Sequence, residues 1–409
     1  MSAEPVALPP PPAEDDLSDS ENSKSGAESD HEVVPTLAKV WAETASFLRS
    51  AHESEQSAEH KSKEVQDGFP PVELYHSAPF LQKKQWNLVG DLVCAKEKNP
   101  CPETNNTSIP GRKWISFRLD GSGFSKYVKK LRAEGVFPER GFSLEFAEIM
   151  QTCAKGLMNR LKAHCVYTQS DEITVLVPPS GLERLPKDAP EGTVAEHLPH
   201  EYNGRVQKLC SQNAAYCASL FNHELVKCFA RSRAEKKKNA AAGDAAFSGD
   251  VNEDALDFLP PVDFLATFDC RLGSYDTKEE ALALLLWRVA DCGVNGISDR
   301  VHHLKGDTGV LTSPELQKER AEMMLKNTKE KIVYLQRLGL FPLNEHQAYG
   351  SFYCAVKRLK QGVDPRNGKE MPAMLRRSVE KVQGNILDRW CTGELFPKDD
   401  ELPELPNQV

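Results

Sequence analysis

Two acidic signatures carry the side chains best suited to chemistry in this chain. Asp120 lies in the segment RLDGSGF, and Asp171 lies 51 positions later in the segment QSDE. Each follows a run rich in β-branched and aromatic residues, which predicts a carboxylate at the end of a strand. Converging carboxylates repel each other unless they are protonated or hold cations. Because hard oxygen ligands suit Mg²⁺, the pair predicts a two-metal phosphoryl- or nucleotidyl-transfer site.

The alternative interpretation is that both signatures are ordinary turns. Asp-Gly and Ser-Asp-Glu are common turn sequences, and either one alone is explained by that chemistry. Two such signatures, each at a strand end and in this order, favour the metal site.

The surrounding pattern predicts the elements that would position these carboxylates. Strands are predicted at 114–119, 165–168 and 173–177, and apolar residues at helical spacing predict a helix over 146–161. A second helix over 204–229 and a strand over 263–275 complete a β-α-β-β-α-β order. We therefore predict an α+β fold, an antiparallel sheet with helices on one face. Asp120 and Asp171 converge if the first two strands are neighbours.

Composition limits the function classes. The 409 residues have a formal net charge of −9, but residues 1–70 carry 15 acidic and 5 basic residues, which leaves 45 acidic and 46 basic residues in the remainder. A near-neutral body neither requires nor excludes a nucleic-acid partner. No apolar run approaches the roughly 18 residues of a membrane span, and no secretory leader is evident. Eleven cysteines without a CxxC pair indicate reduced thiols. We expect an intracellular protein, cytoplasmic or nuclear rather than mitochondrial, with no membrane partner.

Four blocks in order resemble the tRNA-histidine guanylyltransferase family. They are RLDGSGF, TQSDE, FDCR at 268–271 and WRVADC at 287–292, and the resemblance runs from about Lys113 to about Leu304. It implies a palm-like domain that adds nucleotides to the 5′ end of tRNA in the 3′–5′ direction. It also implies two Mg²⁺ ions, GTP and ATP as substrates, tRNA as partner, and a homotetramer.

The resemblance also implies roles for individual residues. Asp120, Asp171 and the carbonyl of Gly121 would hold the metal ions, and Glu172 would support catalysis. Arg205 and Lys208, at i and i+3 on one helix face, would clamp a triphosphate; otherwise such a pair is simply solvated. The nucleotide-binding set is then Asp120, Gly121, Ser122, Gly123, Phe124, Ser125, Ser170, Asp171, Arg205, Lys208 and Asn295. Phe124 could equally be a core residue.

Several positions depart from the family pattern. Ser122 stands in place of an arginine, Ser125 in place of a histidine, and Phe137 in place of a lysine, while Asn295 alone remains of an asparagine-rich block. These departures favour the guanylyltransferase-like branch, which repairs 5′-truncated tRNA, over the strict histidine-tRNA enzymes. They also leave open a catalytically weak protein that binds tRNA or nucleotides. A palm-type nucleotidyl cyclase is a third alternative, but its Gly-Gly-acid turn does not occur in the sequence.

The domain prediction divides the chain into four parts. Residues 1–70 form a mostly disordered acidic tail with a short helix near 34–50, and residues 71–112 lead into the first strand. Residues 113–305 form the catalytic domain, with a flexible insertion at 231–258. Residues 306–409 hold C-terminal helices and a hairpin, including an amphipathic helix over Pro372–Arg389.

Overall fold

The structure is a computed structural model. It describes residues 35–62, 83–137, 142–186, 190, 192–243, 262–307, 314–341, 343–363, 366 and 368–401. Of the tail predicted over residues 1–70, residues 1–34 and 63–70 lie outside these described residues, as do residues 244–258 of the insertion predicted over 231–258.

A six-stranded antiparallel sheet organises the described chain. Its strands are β1 (Trp114–Gly121), β2 (Cys165–Gln169), β3 (Glu172–Val177), β4 (Phe268–Tyr275), β5 (Ser351–Val363) and β6 (Glu370–Val382). They lie in the order β4-β1-β3-β2-β5-β6, and every neighbouring pair is antiparallel. The predicted α+β class and the antiparallel sheet are confirmed.

The register places the acidic positions side by side. β1 pairs with β3 and not with β2, so Asp120 lies opposite Glu172 rather than beside the strand expected from chain order. On its other side Asp120 lies opposite Asp269 of β4. The carboxylates still converge, because Asp171 occupies the β2–β3 turn immediately before Glu172.

Ten α-helices in the described residues cover this sheet. They are α1 (Leu37–Ser62), α2 (Lys83–Lys98), α3 (Phe124–Ala133), α4 (Leu144–Arg160), α5 (Val206–Gly243), α6 (Lys278–Asp307), α7 (Pro314–Met324), α8 (Thr328–Arg337), α9 (Glu345–Tyr349) and α10 (Ile386–Cys391).

The helices lie on both faces of the sheet, which corrects the prediction that they cover one. On one face Phe117 and Val175 pack with residues of α3, α4 and α5, such as Leu157 and Phe221. On the other face Tyr167 and Leu176 join a second cluster built from α1, α2, α6 and α10. Successive side chains of a strand point to opposite faces, so central strands that are buried throughout require cover on both sides.

Long-range pairing overrides two local predictions. Residues 372–382 belong to strand β6, which pairs along its length with β5, and helical structure begins only at Ile386. The amphipathic pattern over Pro372–Arg389 therefore gave the wrong element, because pairing with a partner strand outweighs weak local propensity. Helix α5 continues to Gly243, so residues 231–243 are helical rather than part of a flexible insertion.

Helix α6 crosses the second face and forms one wall of the site. Its stretch Lys278–Leu304 is long and apolar enough to resemble a membrane span, but 61% of its most apolar window is buried inside the fold. Its first turn is capped, since Thr277 Oγ1 accepts a hydrogen bond from the Glu280 N–H at 3.2 Å. Beyond Ile297 the helix packs on α8 in a third, smaller cluster.

Candidate active site

The end of β1 and the β2–β3 turn bring Asp120 and Asp171 together. The N–H of Gly121 donates to the Asp171 carbonyl at 3.1 Å, which fixes the turn against the strand end. Ser170 in the same turn has a φ of +46°, an uncommon value for a residue other than glycine. Such strain persists where the surrounding structure holds it, and it is most frequent at functional sites.

The two aspartates carry unfavourable negative charge. Burial raises the pKa of the Asp120 carboxyl, and the neighbouring charges of Asp171, Glu172 and Asp269 raise it further. Burial also raises the pKa of Asp171, with a smaller contribution from Glu172. Burial and neighbouring negative charge make the ionised form of both carboxyls unfavourable, and a bound cation offsets this cost. The pair is therefore suited to binding cations.

Glu172 has a different environment from the two aspartates. Its carboxylate accepts a hydrogen bond from Arg288 Nε at 2.6 Å and lies 3.5 Å from Arg118 Nη1. Arg118 is held in turn by Glu97 of α2 through two hydrogen bonds. The Glu172 side chain is 9% exposed and the Arg118 side chain 8%, so this network is buried. The geometry makes Glu172 an anchor between the sheet and α6.

The glycines between β1 and α3 permit a close turn. A Cβ at Gly121 would overlap the ring of Phe124, and Gly123 has a φ of +68° at the start of α3. Phe124 is 3% exposed and packs edge-to-face on Phe221 at a centroid distance of 5.3 Å. The phenylalanine is therefore a core residue whose edge reaches the site. Ser122 is exposed, and its N–H donates to the Thr267 carbonyl.

A cleft of about 690 Å³ opens beside the carboxylates. Its walls come from α3, the β2–β3 turn, the start of α4, α6 and α9. Seven of the predicted site residues line it: Asp120, Phe124, Ser125, Ser170, Asp171, Glu172 and Asn295. Asn295 donates from Nδ2 to Asp291 Oδ2 at 2.9 Å, which orients its amide along the α6 wall.

Arg205 and Lys208 do not lie at this cleft, which corrects their prediction as a triphosphate clamp at the Asp120 site. Arg205 precedes α5 and pairs with Ser108, ahead of β1. Phe221, the α5 residue that packs on Phe124 beside the cleft, lies 16 positions after Arg205, about 24 Å further along at about 1.5 Å per residue. Lys208 instead lies over the ring of Tyr202 at 5.8 Å. Their spacing places Arg205 and Lys208 on one side of the chain, as predicted. Which end of the sheet they lie near depends on the tertiary fold, and it is the start of β1 rather than its end.

Sequence reasoning assigned no role to several residues of the site. Arg288 holds Glu172 across 116 positions of sequence, and Asp269 lies opposite Asp120 on β4. Asp269 lies in the FDCR block and Arg288 in the WRVADC block. Membership of these blocks was the sequence feature that could have identified both as site residues. The cleft also contains Lys129, Arg132, His302 and His303, for which no motif gave a signal.

The donor set fits Mg²⁺ with ligands supplied partly by a substrate. Among the described residues no group of three or more His, Cys, Asp or Glu side chains could hold a metal ion. Asp120 and Asp171 can supply one carboxylate each, while Glu172 is engaged by two arginines. Mg²⁺ is commonly held by one or two carboxylates together with water and substrate phosphates, and this arrangement meets that requirement.

Comparisons with known proteins agree with this geometry. Residues 100–276, which include β1 to β4, match the family model of tRNAHis guanylyltransferase. An uncharacterized protein of Acanthamoeba polyphaga mimivirus is 28% identical over 201 residues, which cover 48% of this chain and 58% of that protein. The chain thus spans little more than half of this relative.

Solved structures of low identity also match. The tRNAHis guanylyltransferase of Saccharomyces cerevisiae is 18% identical, with a TM-score of 0.41, over 60% of this chain and 86% of that one. A bacterial tRNAHis guanylyltransferase-like protein in complex with ATP is 20% identical, with a TM-score of 0.40, over 71% and 91%. Three of the four blocks and both aspartates lie within the matched segment, while WRVADC at 287–292 follows it. Residues 100–276 of this chain are thus similar to the tRNAHis guanylyltransferase family.

Proposed function

We propose that this protein is a nucleotidyltransferase that adds nucleotides, with GTP preferred, to the 5′ end of tRNA in the 3′–5′ direction. The observation that carries this proposal is the pair Asp120 and Asp171, which meet at the edge of one cleft within the family-matched segment. The raised pKa of each carboxyl favours a bound cation. Nucleotide-bound structures of a bacterial relative, one with ATP and one with GTP, are consistent with NTP substrates.

The reaction that we propose has two transfers. A 5′-phosphate oxygen of the RNA attacks the α-phosphorus of ATP or GTP, forming a new P–O–P bond and releasing pyrophosphate. The 3′-hydroxyl of an incoming NTP then attacks the activated 5′-phosphorus, which forms the phosphodiester and releases the nucleoside monophosphate. The added nucleotide keeps its triphosphate, and later removal of pyrophosphate restores a monophosphate end.

The residues of this chain have distinct parts in that proposal. Asp120, Asp171 and the Gly121 carbonyl would hold two Mg²⁺ ions, which when bound neutralise phosphate charge that develops during transfer. Arg288 fixes Glu172 and thereby holds α6 against the β3 end. Asn295 and Ser125 offer polar groups along the walls for the substrate.

The departures from the family pattern support templated repair of 5′-truncated tRNA over addition of a single fixed guanosine. Ser122 is exposed beside the carboxylates and carries no charge. Ser125 and Asn295 line the cleft without a histidine or a second asparagine beside them in sequence.

A direct assay tests the proposal. Purified protein is incubated with Mg²⁺, ATP, labelled GTP and a 5′-monophosphorylated tRNA that lacks its first nucleotide, with full-length tRNA in parallel. We expect a product extended at its 5′ end, and more of it from the truncated tRNA. Extension confined to histidine tRNA would support fixed addition and contradict the repair assignment.

The second candidate is a binding protein with little catalysis. The observation that favours it is the position of Arg205 and Lys208, which leaves the predicted triphosphate clamp away from the cleft. This candidate predicts that the protein binds the truncated tRNA in the same assay without forming any extended product.

A further inference from the structure

Two stripes of side chains lead away from the carboxylates along the cleft. On α3, Ser125, Lys129 and Arg132 follow at spacings that place them on one helix face. On α6 the lining stripe runs from Arg288 to His303, a distance of about 22 Å at about 1.5 Å per residue. The two helices thus extend the cleft well beyond Asp120 and Asp171.

The far end of the cleft has the opposite charge to the near end. Lys129 and Arg132 of α3 lie there with His302 and His303 of α6, whose rings are 5.2 Å apart. We name these four residues the distal cluster. Among the described residues that line this end, the acid is Asp299, and it is paired with His303, whose Nδ1 lies 2.9 Å from Asp299 Oδ1.

That pairing favours a cationic histidine. The Asp299 contact raises the pKa of His303 despite partial burial and the opposing charge of nearby Arg132. With Nδ1 held by Asp299, a protonated His303 can donate from Nε2. A third histidine of the cleft, His346, differs: burial lowers its pKa to about 4, so it is neutral near pH 7.

We propose that the distal cluster binds a backbone phosphate of the RNA substrate, several nucleotides away from the reacting 5′ end. Lysine, arginine and a charged histidine together offer the donors that a phosphate oxygen accepts. If a triphosphate is held near Asp120 and Asp171, the distal cluster contacts another part of the substrate. Arg132 lies about 12 Å from Phe124 along α3, and His303 lies about 22 Å from Arg288 along α6. At about 3.4 Å per nucleotide along a stacked strand, these distances correspond to roughly three to six nucleotides. The RNA strand, as substrate, rests on the proposed function.

The test measures RNA affinity without turnover. The full-length protein is titrated into a labelled, 5′-monophosphorylated hairpin RNA with a tRNA-like acceptor stem, without NTP and at several KCl concentrations. The variants are Lys129→Gln, Arg132→Gln and His303→Gln. Lys126→Gln is the matched control, because Lys126 is an exposed cation of α3 outside the cleft lining.

We expect Lys129→Gln and Arg132→Gln each to weaken RNA binding about tenfold and to reduce the salt slope by about 1, with a smaller effect of His303→Gln. Lys126→Gln should bind like the unmodified protein. In a separate steady-state assay with RNA and NTP, the KM for GTP should not change in any variant. Because Lys129 is exposed, its substitution does not threaten folding.

Two results would overturn the proposal. One is RNA affinity and salt slope in Lys129→Gln and Arg132→Gln equal to those of the control. The other is unchanged RNA binding with a raised KM for GTP, which would assign the cluster to the triphosphate. Loss of RNA affinity in a protein that never extends RNA would support the distal site while contradicting the proposed function.

Discussion

Neighbouring acidic residues in this site have opposite electrostatic environments. Asp120 and Asp171 are partly buried with unfavourable charge, whereas Glu172 is held by two buried arginines. Arginine partners at contact distance offset the cost of burying a carboxylate, while a second carboxylate adds to it. Asp120 and Asp171 are therefore suited to binding cations, whereas Glu172 stabilises the fold.

Neutralising either aspartate should stabilise the protein in the absence of Mg²⁺. A folded-state pKa above the unfolded value means that ionisation destabilises the fold; the loss of stability begins above the unfolded pKa and is complete above the folded pKa. Asp120→Asn and Asp171→Asn should therefore raise the melting temperature at pH 7 by about 2 °C, for an effect on the order of 1 kcal/mol. The gain should vanish as the pH falls below about 4, the usual carboxyl pKa. Thermal melts at both pH values test this, and destabilisation at pH 7 would contradict it.

Glu172→Gln should have the opposite result. The substitution removes the charge that compensates Arg288, whose side chain is 13% exposed, and leaves that cation without its main partner. Breaking a buried pair from one side typically costs about 3–5 kcal/mol. Urea denaturation compares this variant with Asp171→Asn, its sequence neighbour, which serves as control. Equal stability of the two variants would refute the distinction drawn between the carboxylates.

At the scale of elements, the turn from β1 into α3 sets the shape of the site. Gly121 allows Phe124 to fold back over the strand end, where its ring joins a cluster with Phe221 and Phe268. Helix α3 then starts beside Asp120 and carries Ser125 into the cleft. The glycines therefore serve packing and helix direction as well as access to the backbone.

Gly121→Ala should destabilise the fold more than Gly123→Ala. The added methyl group at Gly121 would overlap an aromatic ring confined by other rings, and overpacking of this kind costs about 1–3 kcal/mol. At Gly123 a Cβ would meet nothing within 4 Å, so only the positive φ opposes alanine, at about 1 kcal/mol. Denaturant midpoints order the two variants, and a larger loss for Gly123→Ala would contradict this account.

Local pattern predicted the elements closest to the chemistry. Strand β1, the β2–β3 hairpin and the helix that became α4 each have strong periodicity of their own. The pattern failed over Pro372–Arg389, where pairing with β5 decides the conformation. It also placed helices on one face of the sheet, since α1, α2 and α6 reach the second face through contacts that lie far apart in sequence.

At the scale of the whole molecule, distance decides which cations can serve the carboxylates. Arg205 and Lys208 share a face of α5, as their spacing indicates, yet they lie near the start of β1 rather than at its end. Arg288 reaches Glu172 across 116 positions of sequence. Local sequence rules could not predict that Arg288, rather than Arg205 or Lys208, lies near the carboxylates. That outcome depends on how the long helices α5 and α6 cross the sheet.

The separation gives a prediction for Arg205 and Lys208. Because Arg205 and Phe221 are about 24 Å apart in the direction of α5, Arg205→Ala and Lys208→Ala should leave the KM for GTP within about twofold of the unmodified value. Arg288→Ala, by contrast, should change the KM for GTP, because it removes the hydrogen bond that holds Glu172 in the cleft wall. Steady-state kinetics at saturating RNA makes the comparison. A tenfold rise in KM for Arg205→Ala would restore these residues to the triphosphate site.

The central claim is that Asp120 and Asp171 together hold the cations of a nucleotidyltransferase. The most direct measurement is the rate of 5′ nucleotide addition to truncated, 5′-monophosphorylated tRNA by Asp120→Ala and Asp171→Ala, with Lys126→Ala as control and with folding verified by circular dichroism. Losing a ligand that supplies several kcal/mol of transition-state stabilisation should lower the rate by about a thousandfold or more, while the control keeps its activity. Near-normal addition by either folded aspartate variant would contradict the claim.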